Sequence, residues 1–329
     1  MEAYLPVALF SALTLSACMA GSMPPAQESS AAAPPPVKFA PFISGHRGGS
    51  GYAPEDTLTA YRNAARLGID DFETDTVPTK DGVLVLIHDD SVDRTTNCSG
   101  KVNSFNYADI IQCDAGYWWT PGQSTTPSTH DDTLPHPFRG KGVVLPRAED
   151  LFAYARSLGP DGPTVTIEIK NGPNEAQYEV ACPTTAARLV DLIHQSGIQP
   201  RIVVQSFDPT CIATVKQLDP TVQTLYLSEY GALDDLAVCV AGGHDYSAPP
   251  YNSVDFTQAY VNLAHAQNVK VDPWTVDTQA DLQHMIDLGV DGVITNFPAC
   301  MLQLQGRPVP ANVVAPEGGY SDPAFKVCG

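Results

Sequence analysis

Positive charge is scarce in this chain: 18 Lys and Arg stand against 37 Asp and Glu in 329 residues, a formal net charge of -19. A field of that sign repels a polyphosphate backbone, so nucleic acid is excluded as a partner. No G-x-G-x-x-G follows a strand-like run and no Walker loop occurs, which removes the usual nucleotide-cofactor signals. A membrane-spanning run is missing as well, because the apolar stretch from Leu5 to Ala17 is too short to cross a bilayer as a helix.

That stretch reads instead as a secretory h-region, and Leu15-Ser16-Ala17-Cys18 resembles the bacterial lipobox, in which the cysteine is lipidated after cleavage. The n-region departs from the pattern, with Glu2 and no Lys or Arg. Either processing route exports the protein, as a lipoprotein of the periplasm or cell envelope held to the membrane through Cys18, or as a freely secreted chain. Residues 19–38, rich in Ala, Ser and Pro, form a tether. The domain proper is expected over residues 39–300, with a tail over 301–329. Export favours disulfides. Cys98 with Cys113 and Cys300 with Cys328 are natural pairs, and Cys182 with Cys211 is a third. Cys239 is left over, or competes with Cys182 for Cys211.

From Phe42 onward, short strand runs alternate with helical ones, which implies right-handed βαβ units and a parallel sheet. Setting aside a return strand at Val83 to Ile87, the strands close into a (β/α)8 TIM barrel; a doubly wound open sheet is the alternative. Asp56 is placed to cap the helix that starts at Thr57. The periodicity dissolves between about 91 and 146, a length that reads as an inserted subdomain after the second strand.

The densest chemistry lies between Phe72 and Asp89. Glu73 and Asp75 are two apart on a strand and leave the same face. Such carboxylates repel unless a cation or a proton sits between them. Asp81-Gly82 reads as a tight turn that brings His88 back opposite them. Glu168 and Lys170 repeat the two-residue spacing on the next barrel strand, completing the oxygen set Glu73, Asp75 and Glu168. Hard cations choose such ligands, so Ca2+ or Mg2+ is expected. His46 and His88 suit acid and base roles, and Arg47 and Lys170 supply phosphate-matching donors. The set points to phosphodiester cleavage with a metal.

His46-Arg47-Gly48, Pro54-Glu55-Asp56-Thr57, Glu73-Thr74-Asp75, Thr79-Lys80-Asp81-Gly82, His88-Asp89, Arg94-Thr95-Thr96, Glu168-Ile169-Lys170, Gln205-Ser206-Phe207 and Thr295-Asn296 occur in the order in which the glycerophosphodiester phosphodiesterase family carries them. The chain resembles that family from about Phe42 to Pro298. The resemblance implies a (β/α)8 barrel with an insertion after the second strand, and metal-dependent hydrolysis of a glycerophosphodiester to sn-glycerol 3-phosphate and an alcohol. It also implies that His46 and His88 are the acid/base pair, that Glu73, Asp75 and Glu168 hold the metal, and that Arg47 and Lys170 hold phosphate. Where the family usually has Pro-Glu-Asn-Thr, this chain has Asp56, and a capping role would tolerate the change. Trp274 is a candidate apolar wall for the glycerol or the leaving alcohol. The alternatives are a lysophospholipase D or sphingomyelinase D-like enzyme, and a lipoprotein that binds phosphodiesters without cleaving them.

Overall fold

The computed structural model describes residues 40–122, 130–170, 182–229, 231–322 and 325–329. The leader, the lipobox cysteine and the tether therefore lie outside the described residues. The strands are β1 (Phe42–Gly45), β2 (Asp71–Pro78), β3 (Leu84–Leu86), β4 (Thr164–Ile169), β5 (Ile202–Ser206), β6 (Gln223–Leu227), β7 (Tyr246–Ala248), β8 (Lys270–Val271) and β9 (Gly292–Thr295). The helices are α1 (Leu58–Leu67), α2 (Tyr107–Ile110), α3 (Ala148–Ser157), α4 (Cys182–Ser196), α5 (Pro209–Leu218), α6 (Ala232–Gly242), α7 (Gln258–Ala266), α8 (Gln279–Leu288) and α9 (Pro298–Leu304).

The sheet runs β8-β7-β6-β5-β4-β2-β1-β9, all parallel, with β3 antiparallel on β2. Between β8 and β9 the circle is closed by separate backbone bonds, Asp291 N to Val271 O at 2.9 Å and Ile294 N to Pro273 O at 3.0 Å. This is a nearly closed (β/α)8 barrel. The seam is thin because Pro273 has no N–H to extend the β8 ladder. β8 is accordingly only two residues long.

Alternation along β2 explains the rest. Phe72 points outward into the main apolar core between barrel and helices, together with Val165 of β4 and Tyr61 of α1. Glu73 and Asp75 face inward by the period of two. Register then pairs Glu73 with Thr166, Asp75 with Glu168, and Glu168 with Gln205. The catalytic-type acids thus share neighbouring layers near the strand C-terminal ends.

The insertion builds a small core of its own. Val92, Val102, Ile110, Trp119 and Phe138 pack with Val77, Val85 and Ile87 of the β2–β3 arm. Disulfides join Cys98 to Cys113, Cys182 to Cys211 and Cys300 to Cys328. Among the described residues Cys239 is the one free thiol, and it is buried. No described helix is long and apolar enough to cross a membrane.

Candidate active site

The turn after β1 sets the geometry. Gly48 and Gly49 have φ of 81° and 82°, and a Cβ on Gly48 would come within 2.7 Å of the Ala60 side chain. Glycine is required there for both reasons. Arg47 adopts the left-handed region too, with φ 52°, a strained state for a side chain and one that concentrates at functional sites. The strain is offset by contacts: Arg47 N donates to Glu73 Oε2 at 2.7 Å and Nη1 donates to Glu55 Oε1 at 2.9 Å. Its Nε lies 3.1 Å from Asp75 Oδ2.

Glu73, Asp75 and Glu168 are buried, and one oxygen from each lies within 4.8 Å of the others, a group that could hold a metal ion. The all-oxygen donor set fits a hard divalent cation, and Asp75 Oδ2 accepts no hydrogen bond. Lys170 Nζ bridges two of the acids, at 2.8 Å from Asp75 Oδ1 and 2.7 Å from Glu168 Oε2. Glu73 accepts a bond from Gln205 Nε2 at 2.7 Å. Burial alone would push Asp75 up, but the charges of Lys170 and Arg47 outweigh it and hold the carboxyl well below the usual range. Burial, then the negative charges of Asp75 and Asp56, push Glu73 well above that range. Two carboxylates this close push each other's titrations apart.

Each histidine has a fixed back face. Asp277 can only accept, so Asn296 must turn its Nδ2 toward it, at 2.7 Å from Asp277 Oδ2. The Asn296 oxygen is thereby aimed at His46, whose Nδ1 lies 2.7 Å away and donates. Ser50 Oγ donates to the same oxygen. His88 Nδ1 donates to Asp89 Oδ1 at 2.8 Å. Asp89 is gripped by Arg94, which also makes a two-pronged pair with Glu55 at 2.8 and 2.6 Å. In both rings Nε2 is therefore the atom left to take a proton. Burial, then the Arg47 charge, push His46 down to about 3 and His88 down to about 4, which favours the neutral form of each ring.

Asp56 corrects the sequence reading. The helix cap is Thr57, whose Oγ1 accepts from Ala60 N at 3.2 Å. Asp56 sits at φ 55° and is buried, with Oδ1 accepting from Tyr61 Oη, Thr74 Oγ1 and Asp75 N. A residue just ahead of a helix satisfies local capping rules, but here β2 supplies more donors than the helix end does. Burial, then the Asp75 charge, push its carboxyl well up.

Trp274 is half-buried, with Nε1 donating to Ala248 O at 2.8 Å and its ring edge-on to Phe207 at 5.3 Å. The insertion reaches the site through Trp119, whose Nε1 donates to Ser50 O at 2.8 Å. The structure thus brings Arg47, Lys170 and the three acids into mutual contact, and sets both histidines on neighbouring supports. Glu55, Asp89, Arg94, Gln205, Asp277 and Asn296 were given no role from sequence. All but Asp277 fall within the ordered triplets of the family resemblance, and that was the one signal available for them.

Barrel enzymes place their chemistry at strand C-terminal ends, and proton-carrying rings beside cationic groups and a carboxylate cage at that end define a barrel enzyme for an anionic oxygen ester. Residues 46–300 match the glycerophosphoryl diester phosphodiesterase family, and the chain belongs to it. It is 31% identical over 263 residues to the glycerophosphodiester phosphodiesterase of Caldanaerobacter subterraneus subsp. tengcongensis, covering 80% of this chain and 97% of that one. It is 29% identical over 274 residues to the glycerophosphodiester phosphodiesterase of Bacillus subtilis, covering 77% and 82%. A solved putative glycerophosphoryl diester phosphodiesterase from Silicibacter pomeroyi superposes with a TM-score of 0.69 at 24% identity, over 82% of this chain and 96% of that one. An Oleispira antarctica phosphodiesterase in complex with the product sn-glycerol-3-phosphate gives 0.64 at 22% identity, over 81% and 96%. These likenesses to solved structures establish the barrel.

Proposed function

We propose that this enzyme hydrolyses glycerophosphodiesters to sn-glycerol 3-phosphate and an alcohol, with His46 and His88 moving the protons. The observation that carries the reading is the pair of rings, each pinned through Nδ1 so that Nε2 can work, beside one carboxylate cluster. Family membership and the product held by the Oleispira antarctica relative support the substrate class. One neutral imidazole accepts the proton of the glycerol 2-hydroxyl on Nε2 as it attacks phosphorus, and the other, which enters the step as an imidazolium, delivers its Nε2 proton to the departing alcohol oxygen. Their roles reverse when water opens the cyclic phosphate. The carboxylate behind His88 stabilises an imidazolium better than the neutral amide behind His46 does. Arg47 and Lys170 orient the phosphate oxygens, and Trp274 with Phe207 forms an apolar wall for the glycerol or the alcohol. Glu73, Asp75 and Glu168 would hold Ca2+ or Mg2+, which supplies positive charge against the phosphate when bound.

We further place the enzyme outside the cytoplasm, anchored through a lipid on Cys18; disulfide formation fits an oxidising compartment. The test of the reaction is release of glycerol 3-phosphate from glycerophosphocholine by the purified protein, with and without EDTA and with Ca2+ or Mg2+ restored. Metal-dependent release that falls by about 10²- to 10⁴-fold in both His46→Ala and His88→Ala is the expected result. No release from a folded, metal-loaded protein would overturn the reading.

A further inference from the structure

The opposite end of the barrel holds a cavity of about 260 Å³. Phe42, Asp71, Thr164 and Tyr246, which line it, are the first residues of β1, β2, β4 and β7, so this is the N-terminal mouth. Along β2 it lies four residues below Asp75, about 13 Å at strand rise. We propose that this mouth is a second binding site, for a small organic cation such as a primary or quaternary amine, with Asp272 as its counter-charge and Phe42 and Tyr246 as its aromatic walls.

Asp272 carries the argument. Its side chain lines the cavity, is 0% exposed, and neither carboxyl oxygen has a hydrogen-bond partner. Burial, then the negative charges of Asp71 and Asp291, push its carboxyl well up, and a cation brought alongside would draw it back to the charged form. The basic groups around the mouth do not reach Asp272: Arg307 pairs with Asp70, Lys216 with Asp245 and His265 with Asp291, while Lys270 donates to Tyr246 Oη and lies over one face of that ring at 4.7 Å, leaving the other face and Phe42 to a ligand. A buried carboxyl with no partner is expensive, and a cation in the adjoining space would satisfy it.

The walls select the kind of cation. A Ca2+ or Mg2+ ion needs six or so oxygens, but Asp71 already accepts from Ser44 Oγ at 2.6 Å, Thr164 Oγ1 at 2.6 Å and Thr166 Oγ1 at 3.0 Å. The remaining surface is Phe42 and Tyr246, edge-to-face at 6.3 Å, with the aliphatic Val203 and Leu225. One open carboxylate, two aromatic rings and aliphatic packing match an alkylammonium, which is bound by ring faces as well as by charge.

The test is titration of the full chain with tetramethylammonium, read by saturation-transfer NMR, beside the neutral, similarly shaped neopentyl alcohol. Saturable binding with a dissociation constant on the order of 1 mM is expected, weakened at least ~10-fold in Asp272→Asn and likewise in Leu225→Phe, which fills the cavity and keeps the carboxylate. Circular dichroism melts confirm that both variants fold. Absence of saturable binding, equal binding of the neutral alcohol, or unchanged affinity in the two variants would each overturn the proposal. None of these readouts depends on the phosphodiesterase reaction.

Discussion

Removing Asp277 tests whether the back face of His46 matters. Its carboxylate receives Asn296 Nδ2 at 2.7 Å and Asn296 N at 2.9 Å. In Asp277→Ala the amide is free to rotate by half a turn, presenting its NH2 to His46 Nδ1. That arrangement favours the tautomer with the proton on Nε2, and the ring then has no lone pair for the substrate. A hydrogen bond to a charged acceptor is worth about 1.5–3 kcal/mol, which is the preference lost, so kcat/KM should fall about 10- to 100-fold. Ser50 Oγ still donates to Asn296 Oδ1, which keeps the loss below that of deleting the ring. The assay is glycerol 3-phosphate release, with nitrogen-15 NMR of the His46 ring reporting the tautomer. Activity within threefold of the parent, or a loss with the tautomer unchanged, would refute the reasoning.

Charge-neutral replacement of the acids, Glu73→Gln or Glu168→Gln, should weaken divalent-cation binding by at least ~10-fold in calorimetry; unchanged affinity would place the metal elsewhere. Removing the Cys300–Cys328 bond, which spans 28 residues, should lower unfolding free energy by about 3.5 kcal/mol on the loop-entropy relation, read as a shifted urea midpoint; a loss under about 1 kcal/mol would contradict it. Asp235 is buried, near Asp255 and Asp234, and burial first pushes its carboxyl up to about 7, against an unfolded value of about 3.9. The folded chain keeps a proton there that the unfolded chain has lost, so stability falls as pH rises from about 4 to 7, by up to about 1.4 kcal/mol per pH unit. Asp235→Asn should flatten that slope in urea titrations at pH 5 and 8, and an unaltered slope would assign it to other groups.

The metal-type acids were legible because strand alternation is local: a spacing of two on β2 and β4, with those strands adjacent, is enough to bring Glu73, Asp75 and Glu168 together. The same logic gave the barrel, since each βα unit announces itself. Asp56 was misread because a capping rule sees only the next few residues, while Thr74 and the Asp75 amide reach it from 18 and 19 positions away. The supports of the two rings were hidden for a related reason. His46 and Asn296 are 250 residues apart, and no periodicity marks a contact between the first and last barrel strands. Lys170 was read as a phosphate holder, and its bridge between two acids depends on side-chain reach that spacing does not encode.

The C-terminal strap has a consequence for where the enzyme can act. Cys328 is bonded to Cys300 at α9, Gly329 N donates to Asp277 O, and Tyr52 Oη donates to Val327 O. The strap therefore ends on the residue that orients the support of His46. Where thiols stay reduced, a molecule with every catalytic side chain in place would still lack the bond that holds this end against Asp277. If His46 moves a proton as proposed, oxidation of the chain would also fix the support behind that ring.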